Sequence, residues 1–328
     1  MIKSVGIVGM GTSIPEKILT NADLEKMVDT SDEWIRSRTG IVERRIIADG
    51  LTTSDLALEA AQKALVQAGM TADEVDLVIV ASVSPDMIFP ATACIVQGKL
   101  GAVNAAAFDL EAGCSGFLYV LTIAAQCIAS GLYNNVLVIG AEAMSRLINW
   151  EDRNTCILFG DAAAAAVLKP VEDGYGFLSF YLGSDGRGSE LLLLPAGGAR
   201  LPASQETVEN HLHSVHMAGA EVFKFAVRIM GDASLEALKR ANLTPQDIDL
   251  VVPHQANVRI IDAAAKRLGI DREKIYVNVE RFGNTSSASV GVALVECVEQ
   301  GLIKSGDIIL LVGFGAGLTW GSAVIRWV

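Results

Sequence analysis

The chain repeats itself, and that repeat restricts its possible folds more than any other feature. Residues 64–78 read ALVQAGMTADEVDLV and residues 237–251 read ALKRANLTPQDIDLV. Both describe an amphipathic helix, a turn and a buried strand. EAGCSG at 111–116 matches RFGNTS at 281–286, CIASGL at 127–132 matches CVEQGL at 297–302, and NVLVIG at 135–140 matches IILLVG at 308–313. The four matches keep their order at an offset of about 170 residues. Each half therefore carries the same run of strands and helices. VDLVIVAS and NVLVIGAE are continuously apolar and β-branched, as in mixed or parallel sheets covered by helices on both faces. Strand and helix alternate, so the fold class is α/β. The turn-rich KPVEDGYG segment marks the border and gives halves of 1–172 and 173–328.

The repeat also predicts two equivalent buried helices. One reads as beginning at Cys114 and the other near Asn284, each after a glycine, Gly113 and Gly283. A two-fold duplication would bring those ends together. Free N–H groups and a partial positive charge at a helix N-terminus favour a thiolate. A thiolate at Cys114 would attack thioesters. The alternative for any cysteine is a small buried hydrophobe, and Cys127 and Cys297, mid-helix among apolar residues, read that way. His254 follows an apolar strand in VVPHQANVRII, at a strand end where α/β folds bind ligands. A hydrogen-bonded structural histidine is the alternative there. Asn284 in RFGNTSSAS fits a plain helix cap as well as an active-site amide.

Composition removes other classes. At 328 residues, 51% hydrophobic and only 20% charged, the chain is a compact globular protein. A net charge of −12 makes it a poor general binder of nucleic acid or anionic membrane. No apolar stretch reaches the roughly 18 residues of a membrane helix, and MIKSVGIVGMG is too short and glycine-broken for a secretory signal. Five cysteines without a CxxC pair suit free thiols in a reducing cytoplasm and no structural zinc. His211, His213 and His216 in HLHSVHM invite a metal reading, but no acidic or cysteine partner is obvious. Their alternation with Leu212, Val215 and Met217 predicts a half-exposed strand. GIVGMG lacks the third glycine of a dinucleotide fingerprint, and Pro15 follows it. GFGAGLTWG at 313–321 has no helix after it; it suits backbone N–H groups near an oxyanion, or a tight turn.

Taken together, SDEWIRSRTGI (31–41), EAGCSG, FGDAAAA (159–165), MAGAEVFK (217–224), VPHQANVR (252–259), GNTSSAS (283–289) and FGAGLTWGSA (314–323) make the chain resemble the β-ketoacyl-acyl carrier protein synthase III family over nearly its whole length. The resemblance implies a thiolase-like fold of duplicated α/β halves in five layers (αβαβα). The nucleophilic cysteine falls in the N-terminal half, and the histidine and asparagine in the C-terminal half. It implies a Cys114–His254–Asn284 triad that takes an acyl group from acyl-CoA and condenses it with malonyl-acyl carrier protein to initiate fatty acid synthesis. Acetyl-CoA is the expected primer. Backbone N–H groups of Cys114 and of Ala316, where the family commonly has glycine, would hold the acyl-transfer oxyanion.

By the same resemblance, Trp34, Arg38, Thr39, Arg153, Gly219, Phe223, Ala256 and Asn257 would contact coenzyme A, a substrate and not a permanently bound cofactor. Gln255, Arg259 and Lys266 would dock the acidic carrier protein. Phe89 would reach the acyl pocket of a partner subunit in a homodimer. No metal is implied. Trp34 could equally be a packing residue, and Arg259 and Lys266 an ordinary solvated face. Rival readings remain. The chain lacks the second reactive cysteine of a degradative thiolase in FGAGLTWG and the second histidine of elongating synthases, since Asn284 stands there. Plant-type polyketide synthases share the triad types but are usually longer. A relative in secondary metabolism using another acyl-CoA, or a non-catalytic docking protein, stays open, and metal binding through His211 and His213 is weaker still.

Overall fold

The computed structural model describes residues 3–328. Nine strands make two mixed sheets. The first holds β1 (Val5–Ser13), β2 (Leu77–Ala81), β3 (Ala106–Leu110), β4 (Val136–Glu142) and β5 (Ala162–Pro170), in the order β1-β5-β4-β2-β3. Strands β4, β2 and β3 run parallel, and β5 is antiparallel to both β1 and β4. The second sheet holds β6 (Gly176–Ser184), β7 (Leu250–Pro253), β8 (Ile308–Gly315) and β9 (Thr319–Arg326), in the order β7-β8-β9-β6. The chain passes from one sheet to the other between Pro170 and Gly176.

The principal helices are α1 (Asp32–Thr39), α2 (Thr53–Ala68), α3 (Thr92–Leu100), α4 (Gly116–Ala129), α5 (Gly219–Arg240), α6 (Val258–Leu268) and α7 (Ala288–Glu299). Apolar side chains of α4 and α7 pack with both sheets in one core, so these helices lie between the sheets. The other face of the first sheet is covered by α2 and α3, and that of the second by α5 and α6. The result is five layers, α/β/α/β/α. Buried all-apolar strands such as Leu77–Ala81 follow from this double covering.

The halves use the same local chemistry. After α2, Thr71 and Glu74 close a capping box before β2; after α5, Thr244 and Asp247 close the same box before β7. The glycines of GIVGMG serve packing: a Cβ on Gly9 would lie 2.5 Å from the Ala64 carbonyl oxygen, and one on Gly11 2.6 Å from that of Ala60. Both residues let α2 settle onto β1. HLHSVHM is a turn followed by the two-residue strand His216–Met217, and not the strand its alternation predicts. His211 there adopts a left-handed φ of 54°. No helix among the described residues is long and apolar enough to cross a membrane.

Candidate active site

Both central helices start later than the sequence suggests. Cys114 sits in a 3₁₀ turn, Gly113–Ser115, that leads into α4 at Gly116. Asn284 precedes α7 by four residues and joins the first half through an isolated bridge to Phe159. Glycine is needed ahead of both helices. Gly113 has φ 55°, and a Cβ on it would lie 2.5 Å from the Ala316 nitrogen; Gly283 has φ 64°, and a Cβ there would lie 2.7 Å from the Leu158 carbonyl oxygen. These close approaches set the Cys114 backbone against the Gly315–Ala316 turn and fix Asn284 beside Phe159.

A cavity of about 100 Å³ brings together Cys114 from the first half and His254 and Asn284 from the second. Gly219, Phe223, Ala256 and Asn257 line the same cavity. A second, apolar cavity of about 250 Å³ shares Cys114 and extends past it between Met144, Leu147, Leu193 and Val215. The thiol therefore stands where a narrow channel meets an apolar chamber.

The three side chains are held differently. The Ser286 N–H donates to Asn284 Oδ1 at 2.8 Å, which leaves the Asn284 Nδ2 for the cavity. His254 Nδ1 lies 2.5 Å from Ser289 Oγ, and the ring packs edge-on against Phe314 at 5.3 Å. His254 Nε2 is buried and has no partner among the described residues. Burial pushes the imidazole down to about 3, so the ring is neutral. Burial also pushes the Cys114 thiol up to about 12, and the nearby Ser286 hydroxyl pulls the other way. The helix-terminus argument predicts a lowered thiol; desolvation inside the closed site outweighs it.

Glu142, at the end of β4, is fully buried. It accepts from Ser84 Oγ at 2.6 Å, the Val83 N–H at 3.1 Å and Ser287 Oγ at 2.7 Å. It thereby ties the first half to the loop that carries Asn284 and Ser286. Sequence reasoning passed over Glu142, Ser286 and Ser289. A lone carboxylate closing an apolar run and two serines three residues apart were the available signals.

The outer residues divide. The Arg153 guanidinium lies over the Trp34 ring at 4.9 Å. Asn257 caps α6 and donates to the Arg38 carbonyl at 2.9 Å, joining α1 to α6 at the cavity. Arg259, exposed with Lys266 on α6, sits over the Phe223 ring at 5.4 Å. Two expected contacts turn inward. Thr39 is buried, and its hydroxyl donates to the Ile35 carbonyl and accepts from the Ile41 N–H, closing α1. Gln255 is buried too; its amide donates to the Pro253 and Tyr276 carbonyls and accepts from the Asn278 N–H. These bonds tie the Gln255 side chain to the end of β7 and to the 276–278 segment that follows α6. Phe89 is 82% exposed and lines neither of the two cavities that meet at Cys114. His213 bonds Thr207 Oγ1, and His211 stands 3.9 Å from Glu151. Among the described residues no three metal-ligating side chains gather.

Comparison with known proteins is decisive about kinship. The family model "3-oxoacyl-(acyl-carrier-protein) synthase III" matches residues 108–186, and its C-terminal counterpart matches residues 238–327. The β-ketoacyl-(acyl-carrier-protein) synthase III of Caldanaerobacter subterraneus is 61% identical over 324 residues, covering 99% of this chain and 98% of that one. The chain belongs to the β-ketoacyl-acyl carrier protein synthase III family. Among solved structures, the synthase III of Thermus thermophilus matches with 50% identity and a TM-score of 0.92, covering 98% of this chain and 99% of that one. A priming β-ketosynthase of a polyketide biosynthetic pathway matches with 36% identity and a TM-score of 0.92, covering 99% and 96%. As a synthase III the chain is a condensing acyltransferase of fatty acid synthesis, built on the thiolase fold.

Proposed function

We propose that the protein makes the first carbon–carbon bond of fatty acid synthesis, from a short acyl-CoA, acetyl-CoA above all, and malonyl-acyl carrier protein. The observation that carries this reading is the single cavity shared by Cys114, His254 and Asn284. Cys114 Sγ attacks the thioester carbonyl, the carbon–sulfur bond to coenzyme A breaks, and coenzyme A leaves as the thiol, taking the proton. Backbone N–H groups of Cys114 and Ala316 hold the oxyanion. Malonyl-acyl carrier protein then enters and loses carbon dioxide. Negative charge builds on its thioester oxygen, where the His254 and Asn284 N–H groups donate to it. The enolate carbon attacks the acyl carbonyl and Cys114 leaves, to be reprotonated. Asn284 can accept no proton at nitrogen, so its part is electrostatic.

The outer contacts follow. Trp34 and Arg153, already stacked, suit a purine and a phosphate, with Arg38 one turn after Trp34 on α1. Gly219, Phe223, Ala256 and Asn257 would line the pantetheine path, and Arg259 with Lys266 would meet the acidic carrier protein at its mouth. The chamber past Cys114 would take the acyl chain. We place the border of the halves at 172/173, the protein in the cytoplasm, where its five free thiols would persist, and the working unit as a homodimer. The likeness to a polyketide priming synthase keeps a specialised primer in view.

The test is mass-spectrometric acylation with a panel of acyl-CoAs and Cys114→Ser as control. An acyl adduct on Cys114 and none in the variant is expected, with the preferred donor naming the primer. Folded protein that takes no acyl group from any donor would overturn the coenzyme A-primed reading.

A further inference from the structure

Resting on the reading of this site as a condensing centre, we infer that Ser289 is a positioning residue that holds His254 as the Nε2–H tautomer. A neutral imidazole carries one proton, on one nitrogen or the other, and the partner of the first nitrogen decides what the second can do. Here Nδ1 has a single partner, Ser289 Oγ at 2.5 Å, and Nε2 has none. The direction of that hydrogen bond follows from the hydroxyl. Ser289 is 2% exposed, and among the described residues its Oγ makes no hydrogen bond other than the one to His254. If Ser289 accepted from an Nδ1–H, its own proton would be buried without an acceptor, which costs free energy. If Ser289 donates, its proton is satisfied on Nδ1 and the ring proton must sit on Nε2. That second arrangement leaves an N–H donor in the cavity where Cys114 and Asn284 meet.

The backbone explains why a serine at 289 can do this. Ser289 is the second residue of α7, three residues after Ser286. One turn therefore orients both side-chain donors, the Asn284 amide and the His254 imidazole. The Ser286 N–H fixes Asn284 through Oδ1, and the Ser289 hydroxyl fixes His254 through Nδ1. The consequence is functional. Nε2–H serves the oxyanion formed on decarboxylation and cannot accept the Cys114 proton. His254 is then a donor in the second half-reaction and no general base in the first.

Two measurements test this. The first needs no catalysis: nitrogen-15 NMR of the intact wild-type protein, labelled at histidine, with His254→Gln to assign the signal. A protonated Nε2 and a bare Nδ1 are expected; a protonated Nδ1 overturns the proposal. The second compares the half-reactions in Ser289→Ala, Ser289→Thr and Ser289→Asp. Decarboxylation of malonyl-acyl carrier protein should fall roughly 10- to 100-fold in Ser289→Ala, the range met when a hydrogen bond orienting a functional imidazole is removed. Acylation of Cys114 should stay within about 3-fold of wild type, because no step of it uses the tautomer. Ser289→Thr, which keeps the hydroxyl, should restore much of the loss, and Ser289→Asp, which as a carboxylate can only accept, should not. Equal loss of both half-reactions, or no loss of decarboxylation, overturns the role. Wild-type protein that neither acylates nor decarboxylates would instead defeat the condensing reading, while the NMR result stands by itself.

Discussion

At the scale of single residues the site is defined by burial. His254 is 1% exposed, and taking it out of water lowers its pKa from 6.5 to about 3. The unfolded chain binds a proton near 6.5 and the folded chain does not, so this histidine's contribution to stability is present above pH 6.5. It is lost as pH falls from 6.5 towards 3, by about 1.4 kcal/mol per unit. Buried Glu142 and Asp161, whose carboxyls burial pushes up, work in the opposite sense, so the comparison must be made between variants. Between pH 7.5 and 5, wild type should lose about 2 kcal/mol more than His254→Gln in urea titrations. Equal losses would mean that the ring takes up its proton at the same pH in the folded and the unfolded protein. The sequence pointed to Cys114 and Asn284 because they stand at matching turns of the repeat, and to His254 because it ends an apolar strand. It could not reveal that the thiol is raised, since desolvation depends on what the other half of the chain lays over it. Nor could it reveal that Gln255 and Thr39 face inward, because both motifs look alike whichever way the side chain turns.

At the scale of elements, Gly9 and Gly11 of GIVGMG show how a motif can be read for the wrong reason. In sequence they resemble a fragment of a nucleotide loop. In the fold they lie within β1, and α2 rests on them. Gly9→Ala would place its Cβ 2.5 Å from the Ala64 carbonyl oxygen and 2.6 Å from the Ala68 nitrogen, both backbone atoms that cannot rotate away. The helix must shift, at about 1–3 kcal/mol. The expected outcome is a lower urea midpoint with an unchanged m-value, while acylation of Cys114, on the far side of the sheet, continues at temperatures where the variant is folded. A destabilisation below about 0.5 kcal/mol would mean that α2 is not pinned there. Repeat and periodicity made the elements themselves legible: the strands at 77–81 and 136–142 and both central helices are where the pattern put them. Their starts were not. Periodicity cannot distinguish the first helical turn from the 3₁₀ turn at Gly113–Ser115, or from the irregular Asn284–Ser287 segment, because all of them are buried alike.

At the scale of the whole molecule, β3 is the element that a single chain leaves unfinished. It is one of the two edge strands of the first sheet, and Phe108 on it is 40% exposed. Nearby in sequence, Val103 and the run Met87–Phe89 are exposed as well, and they are all large and apolar. A bare apolar strand edge invites pairing, and soluble chains ordinarily cover or charge it. The proposed homodimer supplies the cover, with a second copy presenting the same edge. In the same proposal Phe89, exposed on its own chain, reaches the acyl chamber of the second copy. The two ideas separate by mutation. Phe108→Asp puts a charge on the edge and should shift sedimentation at micromolar concentration from dimer to monomer. Phe89→Ala should leave the dimer intact and move the acyl-CoA preference towards longer chains, because each methylene admitted is worth about 1–3 kcal/mol of discrimination. A wild-type monomer at that concentration would sink the paired-edge reading. A dimer whose primer preference ignores Phe89 would keep the pairing but leave the chamber to be shaped by Met144, Leu147, Leu193 and Val215 of its own chain.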